Sequence, residues 1–397
     1  MTPPPASVPT SQEAPRRLAV AVIGAGWMGH VHARAYARVA HHWPELPLRP
    51  WLAAVADPVP EQLAAAADRY APRATYADWR DVLADDAVEA VSVTAPNHLH
   101  REIGVAVAEA GKHLWIEKPV GLGLADARAV ADAVAAAGVQ AVVGFNYRQV
   151  PAVARARQLL AEGAIGRVTH ARFRMLADYA AHPAGSLSWR YQRAQGGTGV
   201  LGDLSVHAVD LVRFLLGDLA EVVADGETVI TERPLADAGA SQYDRVEGGP
   251  TGAVENLDYV AFLGRTTART PVFLEASRVA VGKQNDYGFE VHGTRGVLGW
   301  DFRRPGELAV SAGEDYSDQP ITTALSRPGD GDFGRFQPGA GNATSFDDTK
   351  VSEAAAFLTA IATGTPHGAA PTDAVAAAAV TEAVARSMSD HAWVAVG

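Results

Sequence analysis

The chain has 397 residues, of which 48% are hydrophobic and 20% are charged, and its formal net charge is −11. This length exceeds what one hydrophobic core usually supports, so two domains are expected. The negative charge argues against nucleic acid or an anionic membrane as the main partner, because both favour basic patches. The sequence has no cysteine, which excludes disulfides, thiolate catalysis and cysteine-ligated metal, and no apolar run reaches the roughly 18 residues of a membrane span.

The N-terminal segment ends in the basic pair Arg16-Arg17. Residues 1–15 are rich in proline, serine and threonine and are predicted to form a disordered tail. A twin-arginine export signal is one interpretation of the pair. However, the apolar run 18–23 leads directly into a glycine loop, and no small-residue cleavage site follows it. We therefore interpret this run as a strand and expect a cytoplasmic protein.

Apolar runs alternate with helical segments through the first third of the chain. Strands are predicted at 18–23, 51–56, 88–94, 113–116 and 140–143, and helices at 28–40, 60–70, 78–84, 99–110 and 124–137. Short apolar runs bounded by glycine are typical of strands that are buried on both faces of a parallel sheet. The alternation predicts an α/β fold that begins with a doubly wound parallel sheet of the Rossmann type over 16–145.

The alternation stops near Gly144, and a different pattern follows. A helix is predicted at 153–162 and another at 373–388, with strand-like runs between them at 167–175, 254–262, 272–277, 289–293 and 296–301. These runs carry β-branched and aromatic residues separated by glycine turns, which favours a large, mostly antiparallel sheet. We therefore predict an α+β second domain over 146–397, with long loops at 234–252 and 311–345.

The loop Gly24-Ala25-Gly26-Trp27-Met28-Gly29 follows the first predicted strand and opens a predicted helix. That context is the one in which a G-x-G-x-x-G pattern binds a dinucleotide. Gly24 permits the tight turn, Gly26 lets the backbone approach the diphosphate, and Gly29 allows the helix to pack closely on the strand. The helix N-terminus supplies free N–H groups for the phosphates. The loop, including Trp27 and Met28, is therefore the predicted cofactor-diphosphate site.

The second predicted strand ends at Asp57, which is followed by Pro58. A carboxylate at this position can accept hydrogen bonds from the adenosine ribose and would repel a 2′-phosphate. No arginine follows to hold such a phosphate. The sequence therefore favours NAD over NADP.

Three further stretches carry candidate reacting groups. They are Thr94-Ala95-Pro96-Asn97-His98-Leu99-His100, Glu117-Lys118-Pro119, and the stretch that contains Asp203 and His207. The first two follow predicted strands, at the edge of the sheet where ligands bind. If the third is helical, Asp203 and His207 are four residues apart and share one face.

These motifs, in this order, resemble the Gfo/Idh/MocA family of oxidoreductases, which includes sugar and cyclitol dehydrogenases. Gly144-Phe145-Asn146-Tyr147-Arg148 and Trp189-Arg190 before Gly196-Gly197 also look like that family, and the resemblance covers nearly all of 18–397. Further stretches are similar to its levoglucosan, glycoside 3- and inositol dehydrogenase group, at 46–50, 275–278 and 282–285.

The resemblance implies roles for individual residues. It places Lys118, Asp203 and His207 around the reacting hydroxyl as the catalytic set. Oxidation of an alcohol needs a base, and His207 titrates near neutrality, although Lys118 could also serve if burial lowers its pKa. The family pattern also places a further set of residues in the cofactor pocket: Thr94, Pro96, Asn97, His100, Glu117 and Lys118.

A sugar-like substrate requires hydrogen-bonding side chains and often an aromatic plane. The candidates for this role are Tyr147, Arg148, Asp178, Trp189, Arg190 and Asn285. His41-His42 lacks partners at useful spacing, so no metal site is expected. The expected partners are a small sugar-like molecule and further copies of the chain, in a homodimer or homotetramer, with neither nucleic acid nor membrane.

The sequence thus predicts NAD-dependent oxidation of a secondary ring hydroxyl of a sugar, glycoside or cyclitol. One alternative is an NAD-dependent glycosidase or epimerase that oxidises its substrate transiently and yields no net NADH. Another is a non-catalytic cofactor-binding regulator, which would be expected to lack Lys118, Asp203 and His207.

Overall fold

The computed structural model describes residues 14–235 and 244–397. Strands and helices alternate through its first part, over β1 (Arg16–Ile23), α1 (Trp27–His42), β2 (Leu48–Ala56), α2 (Pro60–Tyr70), β3 (Ala74–Tyr76), α3 (Trp79–Ala84), β4 (Ala90–Val93), α4 (His100–Glu109), β5 (His113–Ile116), α5 (Leu124–Ala137) and β6 (Ala141–Val143). The six strands are parallel, in the order β3-β2-β1-β4-β5-β6. This confirms the predicted doubly wound sheet. The strand order reverses between β1 and β4, and ligands bind at such a point.

The first two strands begin earlier than predicted. Arg16 and Arg17 belong to β1 and pair with the start of β2, so the run 18–23 is part of a strand, as predicted, and the basic pair lies in the same strand. β2 continues through Pro50, which lacks an N–H group. This is tolerated because β3 pairs only with the end of β2, so β2 is an edge strand at Pro50. The predicted tail over 1–15 lies largely outside the described residues.

The remaining elements are α6 (Pro151–Ala161), β7 (Val168–Leu176), α7 (Arg193–Gly196), α8 (Val206–Leu216), β8 (Leu219–Glu227), β9 (Glu232–Pro234), β10 (Thr251–Ala253), β11 (Tyr259–Thr266), β12 (Pro271–Ser277), β13 (Asp286–Gly293), β14 (Gly296–Asp301), β15 (Glu307–Ala312), β16 (Thr322–Leu325), α9 (Phe333–Phe336), α10 (Phe346–Thr363), α11 (Pro371–Asp390) and β17 (Val394–Ala395). A nine-stranded sheet runs in the order β16-β15-β14-β13-β7-β12-β11-β8-β17. Its pairs are antiparallel except β7 with β12. The predicted, mostly antiparallel sheet is confirmed.

The structure differs from the prediction in the two segments that were expected to be long loops. β9 and β10 pair across the loop 234–252, and its central residues 236–243 lie outside the described part of the chain. The prediction of a loop over all of 311–345 is wrong, because that segment contains β16 and α9. β16 is only four residues long, and its pairing with the exposed edge of β15 is a long-range contact that a local pattern does not reveal.

Helix α10 was not predicted, and it packs on the parallel sheet rather than on the antiparallel one. Val351, Ala354 and Phe357 share a core with Val20 and Val39 of the cofactor half. The polar residues Asp348, Lys350 and Glu353 of α10 are also buried, which obscures the apolar periodicity that would reveal the helix. The domain boundary near residue 145 stays a prediction. No helix in the described ranges is long and apolar enough to cross a membrane.

Candidate active site

The glycine loop joins β1 to α1 in the geometry that a dinucleotide requires. Gly24 has a positive φ of 97°. A Cβ on Gly29 would lie 2.0 Å from the Gly24 carbonyl oxygen, so only glycine lets α1 start so close to the loop. At Gly26 the nearest heavy atom would be 3.9 Å from a Cβ, which leaves open space beside the backbone. That space at a helix N-terminus fits a diphosphate.

Asp57 lies directly beside this loop. Its Oδ2 accepts the Ala25 N–H at 2.6 Å, and its Oδ1 accepts the Val59 N–H at 2.9 Å. The carboxylate is therefore fixed at the end of β2, where the ribose of a bound dinucleotide lies. The residues present fit an NAD cofactor, with Gly26 beside the diphosphate and Asp57 at the ribose.

Thr94 and His100 form hydrogen bonds between the loops at this edge of the parallel sheet. The Thr94 hydroxyl donates to the Gly24 carbonyl at 2.7 Å. The two ring nitrogens of buried His100 lie 2.7 Å from the carbonyls of Ala95 and Pro119. Both residues thus have a structural role at the predicted cofactor pocket.

Lys118 and Asp203 meet across the two halves of the molecule. The Lys118 ammonium donates to the Asp203 carbonyl at 2.9 Å and to its Oδ1 at 3.0 Å. Burial alone would raise the pKa of the Asp203 carboxyl, but the Lys118 ammonium holds that pKa well below its usual range. Asp203 is therefore ionised, and Lys118 is oriented by it.

The first turn of the Asp203 segment is wider than an ordinary α-helix. Residues Leu201–Ser205 form a π-helical turn that continues into α8. The buried Ser205 hydroxyl donates to the Leu201 carbonyl at 2.5 Å within this turn. The stretch is helical over both Asp203 and His207, but its first turn is π-helical and an ordinary α-helix begins only at Val206. Such turns are frequent at functional sites.

His207 lies in the first turn of α8 against the buried ring of Tyr147, with 4.6 Å between the ring centroids. Burial, and then the positive charge of Lys118, lowers the pKa of His207 well below its usual value. The imidazole is therefore neutral at pH 7 and able to accept a proton.

Glu117 is buried one residue before Lys118, and its contacts are with protein groups. Its Oε1 accepts from His32 Nε2 at 3.0 Å and from Lys350 Nζ at 2.5 Å. Its predicted role in the cofactor pocket stays a prediction. Lys350 and His32 were not identified from the sequence, and no local motif marks either of them.

Arg148, a predicted substrate ligand, lies in a buried ion cluster. Its Nε and Nη2 donate to the two carboxylate oxygens of Asp210, and its Nη1 donates to Asp373 at 3.1 Å. The guanidinium is thus already engaged by two carboxylates. Its contact with substrate stays a prediction.

Two of the other substrate candidates, Trp189 and Arg190, lie beside Asp203. Arg190 Nη1 lies 3.7 Å from Asp203 Oδ2, and the Arg190 guanidinium lies over the Trp189 ring. Asp178 accepts from Gln284 Nε2 at 3.2 Å, while Asn285 is exposed in the turn before β13.

A small cavity brings part of this set together. It is lined by Asn97, Trp189, Arg190, Gly196, Gly199, Asp203 and Arg278. Asn97 from the cofactor half thus faces the same space as Asp203. A larger cavity of about 220 Å³ lies between the loop after Lys118 and α11, and the predicted catalytic residues do not line it.

Tyr179 was missed by the sequence reasoning. Its hydroxyl donates to Asp203 Oδ2 at 3.2 Å, and burial raises its pKa well above the usual value, so it remains a hydrogen-bond donor. It directly follows the candidate Asp178, but only the fold reveals its contact. Among the described residues, no group of three or more His, Asp or Glu side chains could hold a metal ion.

Known proteins share both halves of this arrangement. Residues 18–145 match the model of the oxidoreductase family with an NAD-binding Rossmann fold, and 153–299 match the Gfo/Idh/MocA C-terminal domain. The chain is 36% identical to levoglucosan dehydrogenase of Pseudarthrobacter phenanthrenivorans over 96% of this chain and 98% of that protein. It is 26% identical to inositol 2-dehydrogenase of Rhizobium meliloti over 94% of this chain and 98% of that one.

Solved structures agree with this relationship. A levoglucosan dehydrogenase in complex with NADH and levoglucosan superposes with a TM-score of 0.89 at 35% identity, over 96% of this chain and 100% of that one. The apo form of levoglucosan dehydrogenase superposes with a TM-score of 0.91 over 96% of this chain and 99% of that one. The chain is an NAD-dependent enzyme, and it belongs to the Gfo/Idh/MocA family of oxidoreductases.

Proposed function

We propose that the protein oxidises a secondary ring hydroxyl of an anhydrosugar or a closely related pyranoside, with NAD as the hydride acceptor. The observation that carries the proposal is the meeting of Lys118 and Asp203 at 3.0 Å, with His207 on the same helical segment. The similarity to levoglucosan dehydrogenase over nearly the whole chain supports an anhydrosugar as the substrate class.

The charges of Lys118, Asp203 and His207 indicate a different role for each residue. Lys118, oriented by ionised Asp203, donates a hydrogen bond to the substrate oxygen and stabilises its developing negative charge. His207, held neutral by burial and by the Lys118 charge, accepts the hydroxyl proton. The bound cofactor supplies the acceptor for the hydride that leaves the carbon bearing the reacting hydroxyl. The products are a ketone, NADH and one proton.

Residues around Asp203 are proposed to recognise the other hydroxyls of the sugar. Arg190 and Asp178 offer a donor and an acceptor, and Trp189 offers an aromatic plane. Tyr147 forms the wall behind His207, with its ring buried against Phe302 at 5.3 Å between centroids. Asn285 completes the set of proposed substrate ligands, whereas Arg148 is proposed to support the fold through its ion pairs with Asp210 and Asp373.

We also propose a homodimer or homotetramer that buries the open face of the nine-stranded sheet. Residues along β7 alternate between the core, as with Phe173, and the open face, as with Arg172. On that face His170 and His292 stack with ring centroids 4.5 Å apart, and Leu263 is 49% exposed. Light scattering of the purified protein tests the oligomeric state.

The need to reoxidise NADH supports a cytoplasmic location, where a nicotinamide pool is available.

Substrate profiling tests the proposed activity. Levoglucosan, simple glucosides and inositols are each incubated with NAD and with NADP while the absorbance of the reduced nicotinamide is followed. We expect levoglucosan with NAD to give the highest kcat/KM and stoichiometric NADH. Product formation without net NADH would instead indicate transient oxidation by a glycosidase or an epimerase. NADH binding without turnover of any of these compounds would contradict the proposal.

A further inference from the structure

A buried lysine on α10 reaches the residue that precedes Lys118. The Lys350 side chain is 1% exposed, and its ammonium lies 2.5 Å from Glu117 Oε1 and 2.7 Å from Glu353 Oε2. Glu117 and Lys350 are 233 positions apart in the sequence. The ion pair therefore connects β5 of the cofactor half to a helix near the C-terminus.

Glu117 occupies a sensitive position at the edge of the parallel sheet. Its N–H donates to the Val93 carbonyl, which fixes its backbone at the ends of β4 and β5. A Cβ on Gly144 would lie 2.5 Å from Glu117 Oε1, so the carboxylate packs directly on the backbone that follows β6. Burial alone would raise the pKa of Glu117, but the Lys350 ammonium holds it well below its usual range. The carboxylate is therefore a fixed negative charge at the edge where the cofactor binds.

The same helix also contacts the start of α1. Phe346 stacks on Trp27 of the glycine loop, with 5.6 Å between centroids and 24° between planes. Asp347 accepts from Arg34 Nε at 2.7 Å. α10 thus contacts the cofactor half at both the diphosphate loop and the edge that carries Lys118.

Stability alone is a poor explanation for the lysine. A buried ion pair contributes little net stability compared with well-packed apolar residues of the same volume. What the pair does provide is a fixed position for one carboxylate. We propose that Lys350 is a positioning residue for the nicotinamide half of the cofactor: by holding the Glu117 carboxylate, it fixes the Glu117-Lys118 segment against which the cofactor binds. This inference rests on the predicted place of Glu117 and Lys118 at the cofactor.

The test is NADH affinity in the absence of substrate, measured by calorimetry on the full-length protein. Lys350→Met should raise the NADH Kd about tenfold or more, which is typical when the support of a ligand-binding group is lost. Lys350→Arg should recover part of the affinity, because it keeps a cation beside Glu117. The triple variant Glu117→Gln, Lys350→Met and Glu353→Gln leaves no unpaired carboxylate among these three buried side chains and should fold well, yet still bind NADH weakly.

Lys112 provides the matched control. It is also a buried lysine of the cofactor half, and its ammonium donates to the carbonyls of Asp85 and Val88, at 3.0 and 2.7 Å. Lys112→Met should lower the thermal unfolding midpoint while leaving the NADH Kd unchanged. An unchanged NADH Kd in both Lys350→Met and the triple variant would overturn the inference.

Different results would refute the proposed function and this inference. If the wild-type protein binds NADH but oxidises no sugar, the substrate proposal fails, while the Kd comparison remains valid. If the wild type oxidises levoglucosan and Lys350→Met binds NADH normally, only the role of Lys350 is lost.

Discussion

The Lys118 ammonium donates to both the backbone carbonyl and the carboxylate of Asp203, at 2.9 and 3.0 Å. One partner follows β5 of the parallel sheet, and the other lies in the π-helical turn before α8. Two members of the proposed catalytic set are therefore brought together by the fold itself, before a substrate contributes any contact. This preorganisation is what stabilisation of a developing charge requires.

Two glycines of the cofactor loop should fail in different ways when they are changed to alanine. Gly26→Ala has room for its Cβ in the free protein, so its thermal unfolding midpoint should match the wild type while NADH binding is lost. Gly29→Ala would place a Cβ 2.0 Å from the Gly24 carbonyl and should destabilise the fold itself. Calorimetry and thermal unfolding separate the two outcomes. Equal losses of stability in both variants would contradict the geometry.

Asp57 should control the choice of cofactor. Asp57→Asn keeps an oxygen for the Ala25 N–H but loses the acceptor of the Val59 N–H and the charge that is proposed to bind the ribose hydroxyls, so the Kd for NAD should rise about tenfold. The ratio of the NADP Kd to the NAD Kd should fall at the same time. Asp78→Asn, which changes the N-cap of α3, is the control and should alter neither Kd. An unchanged ratio of the two Kd values in Asp57→Asn would exclude this role.

The pH dependence should report His207 as a base with a lowered pKa. Only the neutral ring accepts a proton, so the activity needs a pH above that pKa. Because burial lowers the pKa well below 6.5, kcat/KM should stay level as the pH falls past 6.5 and decline only further down. His207→Gln should lose about 10²- to 10⁴-fold in kcat while keeping its NADH affinity. An acid limb centred at or above 6.5 would contradict this assignment, and His41→Gln on the exposed end of α1 serves as the control.

Arg148 should be important for folding. Arg148→Met leaves Asp210 buried beside Asp373 without its cation, which typically costs about 3–5 kcal/mol of unfolding free energy. Adding Asp210→Asn should recover part of that loss. Chemical denaturation measures both variants, with Arg80→Met, which removes an exposed ion pair, as a nearly neutral control. A stable Arg148→Met protein with a raised substrate KM would favour direct substrate contact instead.

Local signals were sufficient to predict the cofactor half. Short apolar runs between helices predicted the parallel sheet. The glycine loop lies between a strand and a helix, which is the context in which its pattern indicates dinucleotide binding. β3 escaped prediction because three residues are too few for a periodic pattern. The antiparallel sheet was recognised as a class, but β16 depended on an edge contact that only the tertiary structure supplies.

Of the predicted catalytic residues, Lys118 and Asp203 are in contact, but the means by which they meet could not be predicted. The spacing of Asp203 and His207 predicted a shared helical face, whereas the segment begins with a π-helical turn. Lys350 was missed because its helix buries charged residues and so lacks a clear apolar stripe. Arg148 was selected for its residue type, and its two carboxylate partners lie 62 and 225 positions away.

Deuterium transfer tests the central claim most directly. Levoglucosan deuterated at its ring carbons is incubated with the purified protein and NAD, and the reduced cofactor is analysed by mass spectrometry. If a secondary ring hydroxyl is oxidised by direct hydride transfer, each reduced nicotinamide gains one deuterium and the sugar becomes a ketone. Reduced cofactor without deuterium, or no reduced cofactor while the protein binds NAD, would contradict the account.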